Sequence, residues 1–338
     1  CYAVTSDGRE LPVVDVTHPS FVLELSEARQ RELIARFLVE QRSLARLPSV
    51  LRKLMMRVFM RGSIMAAGLR RAEGTFLDGI TTYLFKLGPQ NLGSFATPVD
   101  RRIAASLPAI ALRLRLFDMA RLLADQLAGA LSAAPQKPVW LINIAGGTAI
   151  DSLNALILLQ RERPWLLTQR RCVVCVLDGD AAAPAFGERA AQALRMAGAP
   201  LAGLELEFRR RVYDWQRVAE LETTLQALER DDAIGIVSSE GGLFEYGSDE
   251  DILANLRVLG RCGSLLAVVG SVTRDDEPIR TLKLTSTAAT KPRGLQLFAA
   301  LVAKAGFAVT RSRARPLSDQ VVLERTPPER SAGESAAF

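Results

Sequence analysis

Apolar residues three and four apart run through 24–71, a stretch rich in Leu, Arg, Ala, Met and Glu that only Pro48 interrupts, and this predicts two helices. Residues 74–100 mix Gly, Pro and Asn with aromatics and read as a loop with a short helix. Helical periodicity returns over 101–133 and stops at SAAPQKP, a boundary signal. From 138 the pattern changes to short β-rich runs: 139–145, 172–178, 204–212, 233–239, 264–271, 307–314 and 320–325. The first five are separated by helix-length segments, which implies βαβ units and a mainly parallel sheet. The last two lie too close together for a helix and imply an antiparallel hairpin at one edge. The expected architecture is α/β: a Rossmann-like sheet over 136–325, an α-helical N-terminal cap over 1–135, and a disordered tail over 326–338.

A chain of 338 residues with 49% hydrophobic content suits one large α/β core with an addition better than two independent domains. No apolar stretch approaches the roughly 20 residues of a membrane span, and the opening segment lacks a basic stretch followed by an apolar run. A cytoplasmic protein is therefore expected. Three of the four cysteines, Cys172, Cys175 and Cys262, fall in apolar runs where thiols act as small hydrophobes. The odd spacing of Cys172 and Cys175 puts them on opposite faces of a strand, and no second Cys/His pair completes a zinc site, so no metal is expected. His18 is the only histidine, which leaves Asp, Glu, Tyr or Lys to act as a base.

Charge is uneven. Of 43 Lys/Arg and 37 Asp/Glu, 18 and 12 lie in the first 135 residues, leaving 25 of each for the rest. Arg52, Lys53, Arg57 and Arg61 alternate with Leu51, Leu54, Met55, Val58 and Phe59, as in an amphipathic helix with a cationic face. That face is either simply solvated or a docking surface for an acidic carrier protein. Without interleaved aromatics or a recognition motif, nucleic acid is not an expected partner.

Candidate chemistry sits where strands end. The first βα junction, with Asn143, Ala145, Gly146 and Gly147, lets backbone N–H groups approach a ligand beside a helix N-terminus, though a packing turn would look the same. Asp178, with Asp180 as second choice, stands about 30 residues on at the next strand tip, where a carboxylate accepts both hydroxyls of a ribose; Asp180 also suits a helix N-cap. Asp214 and Trp215 at the third tip offer an acceptor for an adenine amino group and a ring to stack on it, with core packing the alternative for Trp215. Glu240 and Tyr246 follow the fourth strand and would face the reacting end of a bound cofactor.

The run SSEGGLFEYGSDEDILANL, from Ser238, resembles the segment of the leucine carboxyl methyltransferase family and its polyketide O-methyltransferase relatives that reads roughly E-G-L-L-x-Y-L before an acidic helix start. Upstream, Ala111–Asp118 resembles that family's R-x-[RK]-x-x-D element, whose arginine holds the methionine carboxylate of S-adenosylmethionine (SAM). By matching positions that role falls to Arg113 or Arg115, and a guanidinium is the fitting bidentate partner. The resemblance covers about 109–325. It departs at the glycine turn, which reads AGGTAID where the family has close to G-x-G-x-D-T-R, so that Ala145 replaces the first glycine and Asp151 is displaced. It departs again at EGGLFEY.

The resemblance implies a class I SAM-dependent methyltransferase sheet with SAM as cofactor, and methyl transfer to a small-molecule or carrier-bound acid or hydroxyl in secondary metabolism. Azetidine-forming SAM cyclases also resemble this architecture. There SAM alone is the substrate, and closure yields azetidine-2-carboxylate and methylthioadenosine. Phe76, Tyr83 and Phe85 of the cap, with Tyr246, supply aromatics for a cation–π cage in either case, or else belong to the core. Tyr83 joins Glu240 and Tyr246 as a catalytic candidate. A SAM-binding regulatory protein without turnover is the third reading.

Overall fold

The computed structural model describes residues 1–48, 50, 61–286 and 288–327. The basic residues Arg52, Lys53 and Arg57, and the tail from 328 onward, lie outside the described residues. The chain opens with a short antiparallel hairpin, β1 (Tyr2–Val4) and β2 (Glu10–Pro12), which the pattern did not predict because three-residue strands are too short to show alternation. Helix α1 (Glu27–Arg46) starts at Ser26, whose side chain accepts from the Arg29 N–H, and stops ahead of Pro48. Next come α2 (Ile64–Arg71), α3 (Gly79–Leu87) and α4 (Pro98–Ala104), each N-capped by a side chain, from Ser63, Asp78 and Thr97 respectively. The 27-residue α5 (Leu107–Ala133) ends the helical part and is buried along most of its length.

The alternating half runs β3 (Val139–Ile144), α6 (Ile150–Glu162), β4 (Cys172–Asp178), α7 (Ala182–Leu194), β5 (Leu206–Val212), α8 (Ala219–Arg230) and β6 (Ile234–Ser239). It continues with α9 (Leu243–Tyr246), α10 (Asp249–Arg261), β7 (Leu265–Thr273), α11 (Glu277–Leu282), α12 (Gly294–Ala303), β8 (Phe307–Arg315) and β9 (Ser318–Arg325). These seven strands form one sheet in the order β5-β4-β3-β6-β7-β9-β8. The five strands from β5 to β7 are parallel, and the closing pair is antiparallel to β7 and to each other. This is the mainly parallel Rossmann-like sheet with a C-terminal hairpin that the spacing predicts.

The pleat sorts the core. Val139 and Leu141 of β3, with Cys172, Val174 and Val176 of β4, face α5, α6 and the N-terminal segment, whereas Trp140, Ile142, Ile144, Val173, Cys175 and Leu177 face α8, α10 and α12. Cys172 and Cys175 thus sit on opposite faces, where burial pushes their thiols up to about 12 and about 11. Leu11, Val13, Val14 and Val16 join the first of these cores, so the helical cap shares its interior with one face of the sheet. Among the described residues, no helix is long and apolar enough to cross a membrane.

Candidate functional site

Because β4 and β5 lie on one side of β3 and β6 on the other, the chain switches direction between β3 and β6, and in such sheets ligands bind at the carboxyl ends of the strands there. Two turns meet at this point. The β3 turn, Ala145 to Ala149, holds three residues at positive φ, namely Ala145 (51°), Gly147 (59°) and Ala149 (49°). Beneath it, Asn143 donates to Asp151 and to Ser238, both at 2.8 Å. Its carboxamide oxygen fills the space where Gly146 would carry a side chain: a Cβ there would fall 1.6 Å from that oxygen. The β6 turn passes Gly241, where a Cβ would lie 2.4 Å from Arg115 Nη2.

Asp178 closes over the first turn. Its carboxylate accepts from the Gly147 and Asp180 N–H groups, each at 2.8 Å. Burial raises this carboxyl above its usual range, and the two donors hold it back. Asp180, just ahead of α7, accepts from the Ala182 N–H two residues on, and the N-cap position of that helix is taken by Ala181 and not by Asp180 as the alternative reading expected. At the tip of β5, Asp214 is exposed and accepts from the Gln216 N–H, while Trp215 is half-buried against the second core and its carbonyl accepts from Asn255.

Beyond β6 lies a buried ionic cluster joining cap to sheet. Lys86 Nζ of α3 sits 2.8 Å from Glu240, and Arg115 of α5 forks between Glu240 at 3.3 Å and Glu245 at 2.9 Å. None of the four side chains is more than 9% exposed. Burial alone lowers the Arg115 guanidinium, but Glu245 and Glu240 outweigh it and raise it. Ser271 of β7 donates to Glu245 and accepts from the Gly241 N–H, and Arg293 ties down the loop through the Phe244 and Gly247 carbonyls. Asp151 lies close enough to feel Glu240 and Lys86. Burial foremost, then Glu240, push it up to about 6. Its second oxygen has no hydrogen-bond partner among the described residues, and neither has the Asn143 carboxamide oxygen.

The two arginine alternatives separate here. Arg115 reaches the sheet edge. Arg113 turns instead toward the C-terminal end of α3, where its guanidinium lies over Gly88 and makes one long contact, 3.4 Å, to the Phe21 carbonyl. Tyr83 corrects an expectation: it is wholly buried, its hydroxyl donates to the Pro12 carbonyl and accepts from the Val14 N–H, and its ring packs 4.7 Å from Phe186. It anchors the N-terminal hairpin to the cap and does not face the cluster. Phe85 is likewise core. Phe76 does meet Tyr246, edge to face at 6.3 Å, and burial, with Glu245 beside it, pushes the Tyr246 hydroxyl up to about 12.

Lys86, Glu245, Ser271 and Arg293 were not among the sequence candidates. Lys86 left one signal, a lone cation inside the apolar run YLFKL of a short helix. Such a side chain is buried only with a partner.

Residue types along the sheet edge fit SAM: a carboxylate beside the glycine turn for a ribose, and two anions with two cations for a zwitterionic amino acid. Helix α3 lies over both. At its start a Cβ on Gly79 would stand 2.4 Å from Ala183 Cβ and 3.2 Å from Gly147 Cα, and at its end it delivers Lys86 to Glu240.

No protein-family model matches the chain, and no curated protein matches it. Among solved structures, it is similar to LepI in complex with SAH and a substrate analogue, at 18% identity and a TM-score of 0.37 over 58% of this chain and 44% of that one. It is also similar to the mitomycin 7-O-methyltransferase MmcR, at 14% and 0.40 over 84% and 74% of the two chains. The pyocyanin biosynthetic protein PhzM gives 15% and 0.42 over 89% and 74%. The chain thus spans less than half the length of the LepI structure.

Proposed function

We propose that this chain binds SAM at the β3–β6 switch point and transfers its methyl group to a small-molecule or carrier-bound acid or hydroxyl in secondary metabolism. The observation that carries the reading is the pairing, along one sheet edge, of Asp178 at the glycine turn with the buried Lys86–Glu240–Arg115–Glu245 cluster. A phosphate-bearing cofactor suits this edge poorly. Its glycine turn faces Asp178 and Asp180 and carries no Lys or Arg, whereas phosphate sites use free N–H groups and cations. A nucleoside joined to an amino acid suits both ends.

In this reading Asp178 accepts the ribose hydroxyls, with Asp214 and Trp215 toward the base. Asn143 and the turn Ala145–Gly147 shape the floor, Arg115 takes the carboxylate, and Glu240 takes the ammonium. Bound SAM supplies a methyl carbon made electrophilic by its sulfonium, so the protein's work is positioning and charge placement, and no histidine is needed. Tyr246 and Phe76, whose rings meet at 6.3 Å, would offer an aromatic face to the sulfonium. The fully buried thiols suit a reducing cytosol. An acidic carrier would meet the basic residues 52–61.

The cover of α3 favours a second reading, in which SAM alone is the substrate and closes to azetidine-2-carboxylate and methylthioadenosine. A cap seated directly on the glycine turn suits a reaction that admits no second molecule. Incubation of the purified protein with SAM alone, followed by mass spectrometry, separates the two. Methyl transfer predicts unchanged SAM until an acceptor is added. Methylthioadenosine accumulating above the spontaneous background identifies cyclisation or another cleavage, and a search for azetidine-2-carboxylate decides which. A protein that neither binds nor consumes SAM contradicts both.

A further inference from the structure

Lys86 is buried in a place that a side chain of its charge tolerates only with a partner, and Glu240 is the one hydrogen-bond partner it has among the described residues. The two belong to different layers, Lys86 to the cap helix α3 and Glu240 to the tip of β6. Arg115 also reaches Glu240 but is held elsewhere by Glu245. At nine residues and about 1.5 Å per residue, α3 spans about 13 Å, from the glycine turn to the ionic cluster. That is the line along which the proposed ligand would lie.

Charge fixes what can happen there. With Lys86 and Arg115 against Glu240 and Glu245, the cluster is neutral. SAM carries a carboxylate, an ammonium and a sulfonium, a net charge of +1. Adding it beside Lys86 would bury one uncompensated cation, which is costly in a dry site. Exchanging Lys86 for the ligand's ammonium restores the balance and lifts α3 off the sheet in the same step.

We propose that the Lys86–Glu240 pair is an autoinhibitory latch, in which Lys86 holds the position of the ligand's ammonium and must be displaced by it. Lys86 thereby sets the charge specificity of the site, since only a ligand bringing its own cation to Glu240 replaces it without leaving that buried carboxylate to its one 3.3 Å contact with Arg115, a cation shared with Glu245. This rests on the SAM reading above, and it identifies the competitor that SAM must outbid.

The test is calorimetric titration of wild type, Lys86→Met and Lys86→Arg with SAM, S-adenosylhomocysteine and methylthioadenosine, with amide exchange of 79–87 measured on the ligand-free proteins. The latch predicts that Lys86→Met tightens SAM and S-adenosylhomocysteine, which carry the ammonium, by about tenfold relative to methylthioadenosine, which lacks it. It also predicts faster exchange across α3, and that Lys86→Arg stays near wild type in both. Weaker SAM binding with methylthioadenosine unchanged would make Lys86 a ligand contact and overturn the latch. Equal changes for all three ligands would reduce Lys86 to a structural residue. If wild type binds none of the three, the SAM reading fails, and the exchange of α3 still decides whether the pair holds the helix down. Should Lys86→Met not fold, Glu240→Gln carries the same exchange test, and unaltered protection of α3 there refutes the latch.

Discussion

Asp118 is wholly buried and accepts two hydrogen bonds from the fork of Arg315, fixing α5 to the terminal hairpin of the sheet. Arg313 adds a third at 3.1 Å. The acid that ends the R-x-[RK]-x-x-D element thus acts three residues away from Arg115, by setting where α5 lies. Asp118→Ala leaves two partly exposed guanidinium groups that water can resolvate in part, and it is expected to cost about 3 kcal/mol. Urea unfolding measures the loss. SAM affinity is expected to fall with it, because Arg115 rides on the same helix.

Arg115 and Arg113 should respond differently to methionine. Arg115→Met strands Glu245 and half of Glu240 in the interior, so it should both destabilise the fold by about 3–5 kcal/mol and abolish SAM binding. Arg113→Met removes a cation that burial already lowers and that has one weak contact, so it should be mild. Titrating both variants with SAM and methylthioadenosine checks the assignment. Loss confined to Arg113→Met would reverse it.

Asp151 gives the protein a pH signature. Its ordinary value of 3.8 rises to about 6 in the fold, chiefly through burial. Between these values the folded protein keeps a proton that the unfolded chain has released, so stability falls as pH rises from about 4 to 6, by up to about 3 kcal/mol. Asp151→Asn should remove this slope. It should match wild type near pH 4 and exceed it in unfolding free energy above pH 6. A wild-type profile flat across that window would contradict the buried acid.

The glycine turn tolerates change on one side only. Gly146→Ala drives a methyl into the Asn143 carboxamide and should cost about 2 kcal/mol, and adding Asn143→Ala should recover part of that if the clash is the cause. Ala145→Gly, at a φ of 51°, relieves a left-handed alanine and should stabilise by about 0.5–1 kcal/mol. Thermal melts of the four proteins test the ordering.

Much of the sheet was legible because β3 and β4 are apolar on both faces and end in Asn143 and Asp178, and because β8 and β9 stand too close together to be parallel. Strand tips carrying Asp178 and Glu240 follow from the same spacing. The cap was not legible at this level. Its three-residue strands are too short to show a period, and the burial of Tyr83 on the Pro12 and Val14 backbone and the meeting of Lys86 with Glu240 across 154 positions are long-range facts with no local pattern. Arg113 and Arg115 could not be told apart by motif position: two residues along α5 turn a side chain by about 200°, to nearly the opposite face, and only the packed helix shows which of them faces β6.

The measurement that bears most directly on the account is SAM titration of Asp178→Asn against wild type, with thermal melts to show that both are folded. Asparagine keeps the shape but has one acceptor oxygen in place of the two that receive the Gly147 and Asp180 N–H groups, so it cannot serve both backbone donors and both ribose hydroxyls, and its charge is gone. The account predicts a loss of affinity of about a hundredfold, roughly two charge-assisted hydrogen bonds. An unchanged Kd in a folded variant would contradict it, and with it the placing of a nucleoside at this sheet edge.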